Sequence, residues 1–171
     1  YDEQKMVERP KDGMIEEETY IIFDIETTGF DPYKDKIIEI GAVKLKGRDI
    51  MDRFSAFINP EVPIPDEITK LTNITDDMVK DAELIDTVLP RFLEFCSDST
   101  LVAHNARFDV GFITQKARPL NLEFLPSVID TLYWARVLVT DLKRFNLKAL
   151  ANYFGISLDN HHRAVDDAEA T

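Results

Sequence analysis

The sequence predicts an α/β fold in which an antiparallel three-strand meander precedes alternating strands and helices, giving one mixed sheet with helices on both faces. Three observations predict it. Residues 20–58 hold three runs rich in β-branched and aromatic residues, the last two separated by the turn Lys46-Gly47-Arg48-Asp49. Beyond the Pro60, Pro63 and Pro65 cluster, the apolar spacing becomes helical. Two short apolar runs, 101–103 and 128–130, each lead straight into a helical segment.

Taken in order, residues 1–18 are polar, carry Pro10 and Gly13, and show no apolar period. They read as a linker or tail, and the folded domain is expected over 19–171. Strands are expected over 20–26, 37–45 and 50–58, rich in Ile, Val and Phe. Short helices follow near 66–71 and 75–80, then a helix over 85–95 with Pro90 near its start. Strand 101–103 feeds a helix over 108–117, and strand 128–130 feeds one that runs to 138. Residues 147–154 form a helix that Gly155 closes at a C-cap position, and a last helix starts near Arg163.

With 171 residues, 44% of them apolar and eleven of them Phe, the chain can bury a substantial core. No apolar run reaches membrane-spanning length, so no membrane partner is expected. The single cysteine, Cys96, allows no internal disulfide and fits a buried thiol in a reducing, cytoplasmic setting. A start at Tyr1 and a stop at Thr171 inside a helical stretch suggest a piece of a longer protein. The net charge of −12 argues against tight grip on a duplex backbone. Residues 1–19 account for −4, and four motif carboxylates for another −4, leaving a mild −4 elsewhere.

Those carboxylates lie in three separated segments: Asp24-Ile25-Glu26-Thr27-Thr28-Gly29, His104-Asn105-Ala106-Arg107-Phe108-Asp109 and His162-Arg163-Ala164-Val165-Asp166-Asp167. On a strand, side chains alternate, so Asp24 and Glu26 share a face, roughly 7 Å apart at their Cα atoms. Ile21, Phe23 and Ile25 take the other face. An edge strand with an acidic solvated face would read the same way. Asp109 falls in a first helical turn, where an acid also simply suits the helix dipole, and Asn105 reads equally as a cap or turn residue. In the third segment adjacent residues cannot share a face, and Ala164, Asp167 and Ala168 do share one by spacing. Asp167 is therefore expected inward and Asp166 outward, with His162 just ahead of the helix. Four converging carboxylates repel one another, and two divalent cations remove that repulsion while clamping a phosphodiester for in-line attack. All-oxygen donors suit Mg²⁺ or Mn²⁺ rather than zinc. Asp130-Thr131 reads as a helix cap rather than a ligand. No Walker loop, second cysteine or Gly-x-Ser-x-Gly elbow supports another chemistry.

Together, in this order, the three segments resemble the motifs of the DnaQ-like 3′–5′ exonucleases of the DEDDh subgroup, over about residues 20–171. His162, Ala164 and Asp167 match that subgroup's last motif. With Leu71-Thr72-Asn73-Ile74-Thr75 and His161-His162-Arg163-Ala164, they resemble the proofreading domain inserted in PolC-type bacterial replicative polymerases. Asn stands at 73 where such domains often carry Gly, and Asn tolerates a left-handed backbone. The resemblance implies a ribonuclease H-like three-layer fold. It implies that Asp24, Glu26, Asp109 and Asp167 ligate two Mg²⁺ or Mn²⁺ ions. It implies that His162 is the general base, and that Thr27, Thr28, Leu71 and Asn105 hold the terminal nucleotide. The implied partners are a single-stranded or frayed DNA 3′ end and the rest of a polymerase chain. RNA 3′-end trimming stays open, because no residue here separates deoxyribose from ribose, as does a non-catalytic interaction domain.

Overall fold

The computed structural model describes residues 18–97, 99–158 and 163–171. The expected tail over 1–18 therefore lies, except for Glu18, outside the described residues, as do His161 and His162.

Five strands form one mixed sheet: β1 (Thr19–Thr27), β2 (Ile37–Lys46), β3 (Asp49–Phe57), β4 (Thr100–Ala103) and β5 (Val128–Asp130). Their spatial order is β3-β2-β1-β4-β5. The first three form the antiparallel meander, and β4 and β5 run parallel to β1. β1 is thus central, which removes the edge-strand reading of its acidic face. The helices are α1 (Asp66–Thr72), α2 (Asp76–Val79), α3 (Ile85–Phe95), α4 (Arg107–Ala117), α5 (Thr131–Leu138), α6 (Leu147–Phe154) and α7 (Ala164–Ala170).

The two faces of β1 follow its alternation. Ile21, Phe23 and Ile25 are buried in one core with Val88, Leu89 and Phe92 of α3 and Val110, Phe112 and Ile113 of α4. Phe92 anchors it, with its ring 5.7 Å from Phe23 and 5.6 Å from Phe54. On the opposite face Ile22 and Val43 meet Ala168 of α7. Helices therefore cover both faces, as expected. Pro90 lies in the second turn of α3 rather than near its start; it and Asp86, four residues earlier, are both exposed. There its missing N–H costs no buried hydrogen bond.

Local chemistry ends the elements. Asp130 caps α5 by accepting from the N–H groups of Leu132 and Tyr133, as the sequence predicts. Asn146 caps α6 by accepting from Ala149 N–H, and Gly155 closes it. Asn73 ends α1 at φ 59°, the left-handed conformation that Asn tolerates. Cys96 is buried, and burial pushes its thiol up to about 12.

The approach of α7 to the sheet depends on Gly41. A Cβ there would stand 2.1 Å from Val165 N and 2.2 Å from the Ala164 carbonyl carbon, both backbone atoms that cannot rotate away. Gly41 pairs directly with Asp24 in the β1–β2 register. Gly41→Ala is expected to push α7 outward, costing about 1–3 kcal/mol or more through overpacking. The same shift should lower any activity that needs Asp167 by about a hundredfold, since 1 Å of misplacement suffices for that. Denaturant midpoints and initial rates check it; a variant equal to the parent in both would show that α7 adjusts without carrying Asp167 away.

Candidate active site

Four parts of the chain converge at the carboxyl end of β1, where β4 also ends. This is where open α/β sheets place their ligands. Asp24, Ile25 and Glu26 come from β1. His104, Asn105, Phe108 and Asp109 come from the β4–α4 passage, Leu147 from α6 and Asp167 from α7. They line one cleft of about 190 Å³.

One carboxylate oxygen each from Asp24, Glu26 and Asp167 lies within 4.8 Å of the other two. Asp109 lines the same cleft but stands outside that triplet, fully buried, with Oδ1 accepting from Ile25 N–H at 3.2 Å. It ties the first turn of α4 to β1 and faces the cluster at the same time. Asp167 is buried with Ala164 and Ala168, while Asp166 is only half-buried, which is the register expected for α7.

The electrostatics follow from this crowding. Burial first, and then the charges of Asp109, Glu26, Asp167 and Glu39, hold the Asp24 carboxyl well above the usual carboxylate range. Burial, then Asp167, Glu39 and Asp109, push Glu26 up to about 8, against an opposing pull from Arg163. Burial likewise pushes Asp109 up to about 8, despite two backbone hydrogen bonds that oppose it. At about 8, Glu26 and Asp109 keep their protons near neutrality unless a cation replaces them. The donor set is entirely carboxylate oxygen, which fits hard divalent cations. The guanidinium that pulls on Glu26, Arg163, is committed elsewhere.

Its partner is Glu39, a residue the sequence reading missed. Glu39 is fully buried on β2, directly opposite Glu26. Arg163 Nη2 donates to its Oε1 at 2.9 Å, and Ala164 N–H donates to its Oε2 at 3.2 Å. An acid from the sheet thus caps α7, and Arg163, which also lies over the Phe57 ring, locks the junction. The available signal was a lone acid inside the apolar run Ile37-Ile38-Glu39-Ile40. His104 was also passed over as a site residue. Its Nδ1 lies 3.1 Å from Thr131 Oγ1, and burial holds its pKa down.

Other expected residues are placed differently. Thr27 and Thr28 are buried, but their hydroxyls serve the backbone. Thr27 Oγ1 donates to Gly29 O at 2.6 Å, and Thr28 Oγ1 accepts from Lys36 N–H at 2.9 Å. Leu71 lies exposed on α1. Among the described residues, none of the three lines the cleft. Asn105 does, at φ 65°, with its N–H donating to Asp130 Oδ1 at 3.1 Å; it is a turn residue rather than a cap. Gly29 matters through space rather than backbone freedom, since a Cβ would stand 2.4 Å from the Asp35 carboxylate.

A ribonuclease H-like sheet carrying a carboxylate cluster at this position defines a class of nucleases, and the chain belongs to the exonuclease family. The model of that family, RNase_T, described as an exonuclease, matches residues 21–171. The PolC-type DNA polymerase III of Clostridium perfringens is 55% identical over 155 residues, which are 91% of this chain and 11% of that protein. The chain thus spans about a ninth of that relative's length. Among solved structures, exonuclease X in complex with 5′-overhanging duplex DNA is 27% identical, with a TM-score of 0.71, covering 88% of this chain and 85% of the other. The nuclease domain of 3′hExo, a DEDDh family member bound to rAMP, is 21% identical with a TM-score of 0.76, covering 90% and 88%. The latter likeness shows the fold alone.

Proposed function

We propose that the chain is a two-cation 3′–5′ exonuclease that releases nucleoside monophosphates from DNA 3′ ends and proofreads within a replicative polymerase chain. The observation that carries this reading is the carboxylate triplet of Asp24, Glu26 and Asp167, with Asp109 on the same cleft wall. In this reading these four residues hold two Mg²⁺ or Mn²⁺ ions. When bound, such ions polarise the attacking water and stabilise the leaving 3′ oxygen. His162 takes the proton from that water, the general-base role open to a neutral imidazole. Arg163, held by Glu39, fixes the chain that follows His162. Asn105 and Phe108, on the cleft wall, take the terminal nucleotide. Glu26 and Asp109, both pushed up to about 8, would have to release their protons to hold a cation.

The DNA and polymerase assignments rest on the likeness to the PolC-type relative. A replicative setting of that kind supports a cytoplasmic location for the chain. Among the described residues no helix is long and apolar enough to cross a membrane. A terminus reaching a cleft between a sheet and its covering helices must leave its complement, so a mismatched end, which frays, is favoured over a paired one.

The test compares initial rates on single-stranded DNA, duplex with a mismatched 3′ end, duplex with a matched 3′ end, and RNA of the same sequence. Rates are expected to fall in the order single strand, mismatched, matched, with RNA slower than DNA. Equal rates on the three DNAs would remove the proofreading role. Faster cleavage of RNA would reassign the substrate.

A further inference from the structure

The segment 131–148, which contains α5 and the start of α6, differs from the rest of the chain. It carries Arg136, Lys143, Arg144 and Lys148 against the single acid Asp141, a net +3 in a chain whose total is −12. All four bases are exposed. Among the described residues none of them makes an ion pair, whereas Lys34, Arg53, Lys80, Arg91 and Arg163 all do.

The same segment exposes aromatic surface. Tyr133 and Trp134 are 51% and 39% exposed, and their rings pack edge to face with centroids 5.5 Å apart. Val137 and Leu138 extend this surface, and no residue of α5 is fully buried. A helix that spends its aromatic side chains on solvent contributes little to the core of this domain.

The segment is fastened to the cleft. His104, on the cleft wall, pairs with Thr131 at the start of α5 and has a backbone hydrogen bond with Phe145 beside Arg144. Leu147, two residues further on, lines the cleft itself. Cationic side chains that take phosphates, interleaved with aromatic faces that take bases, are what a single strand requires of a protein surface. Duplex hides its bases and would leave the aromatic faces without partners.

We infer that the segment 131–148, with Tyr133, Trp134 and Arg136 on α5 and Lys143 and Arg144 in the connection that follows it, is the track along which a single nucleic-acid strand runs as its 3′ end enters the cleft. This rests on the nuclease reading for the direction of the strand, but binding on the track is measured apart from cleavage. It also reconciles an acidic protein with a polyanionic ligand: the cations are gathered where the strand lies.

Trp134 is the only tryptophan, so its emission reports on the track directly. The 171-residue chain is titrated in EDTA with a fluorescein-labelled 16-nucleotide single strand, followed by anisotropy, and with the unlabelled strand, followed by Trp134 emission. The expected result is quenching of Trp134 in step with binding. In Lys143→Glu/Arg144→Glu, affinity should fall roughly tenfold or more and the slope of log affinity against log salt should flatten by about 1.4, two phosphate contacts on a single strand. Hydrolysis of the 4-nitrophenyl ester of thymidine 5′-monophosphate with Mg²⁺, a substrate too short to reach the track, should stay at the parent rate in that variant. A strand that binds without altering Trp134, or that binds the variant as well as the parent, overturns the inference. So does quenching by no strand at all, the outcome for a face that serves a protein partner. Failure of the parent on the ester overturns the active-site reading instead and leaves the titration to decide the track.

Discussion

Asp24→Ala should leave a folded protein with its nuclease activity reduced by about 10⁴ or more, an estimate for losing a cation that supplies several kcal/mol to the transition state. The Asp24 side chain makes no hydrogen bond or ion pair among the described residues, and the backbone pairing of β1 with β2 does not depend on it. What it removes is a charge crowded by Asp109, Glu26, Asp167 and Glu39. The consequence for stability has a definite sign. Glu26 and Asp109 are pushed up to about 8 in the fold, above their unfolded values near 4. The fold therefore binds their protons more tightly than the unfolded chain does, and its stability falls as pH rises from the ordinary carboxylate range toward 8. In EDTA the parent should melt at a lower temperature at pH 8 than at pH 5. Asp24→Ala, relieved of one repelling carboxylate, should lose less over that range and exceed the parent at pH 8. Differential scanning calorimetry at the two pH values checks this. An unfolded Asp24→Ala would make Asp24 structural and dissolve the site.

His162→Ala should lower the maximal rate by about 10²–10⁴, the usual contribution of a positioned general base, with little change in the cation concentration required. The base must be neutral to accept a proton, so the parent's rate should rise with pH through the imidazole range, and that limb should disappear in the variant. His161→Ala should be much milder, because only His162 stands five residues before Asp167, the residue that α7 turns into the cleft. His104 is a competing imidazole on the cleft wall, but it is already bonded to Thr131 and its pKa is held down by burial. His104→Ala is expected to disturb substrate positioning and to keep the parent's pH profile. Equal losses at 161 and 162, or a lost pH limb in His104→Ala, would move the base elsewhere.

Much of this site was legible in the sequence because the decisive information was local. Alternation along β1 sufficed to put Asp24 and Glu26 on one face and Ile21, Phe23 and Ile25 on the other. Helical spacing in 164–168 sufficed to choose Asp167 over Asp166, and the small residues there announced a close approach to a sheet. Asp130 read as a cap because a cap needs only the next three residues. What escaped depends on pairing between distant segments. Gly41 and Glu39 acquire their roles from the β1–β2 register, which sets them opposite Asp24 and Glu26, and from α7 crossing above both. A lone acid in an apolar run marks Glu39 as unusual but does not name its partner in α7, and nothing within a few residues of Gly41 announces its role. Thr27 and Thr28 carry donors and acceptors wherever they stand, and only the fold shows their hydroxyls committed to Gly29 and Lys36. The cationic and aromatic stretch 131–148 was visible in composition but vanished in the average, since a net −12 conceals a local +3.

The central claim is that this carboxylate cleft hydrolyses phosphodiesters by holding divalent cations. The most direct measurement is release of nucleoside monophosphates from the 3′ end of single-stranded DNA, first in excess EDTA and then after saturating Mg²⁺ or Mn²⁺ is restored. The account predicts no detectable release in EDTA and full recovery with either cation. Undiminished release in EDTA would contradict it.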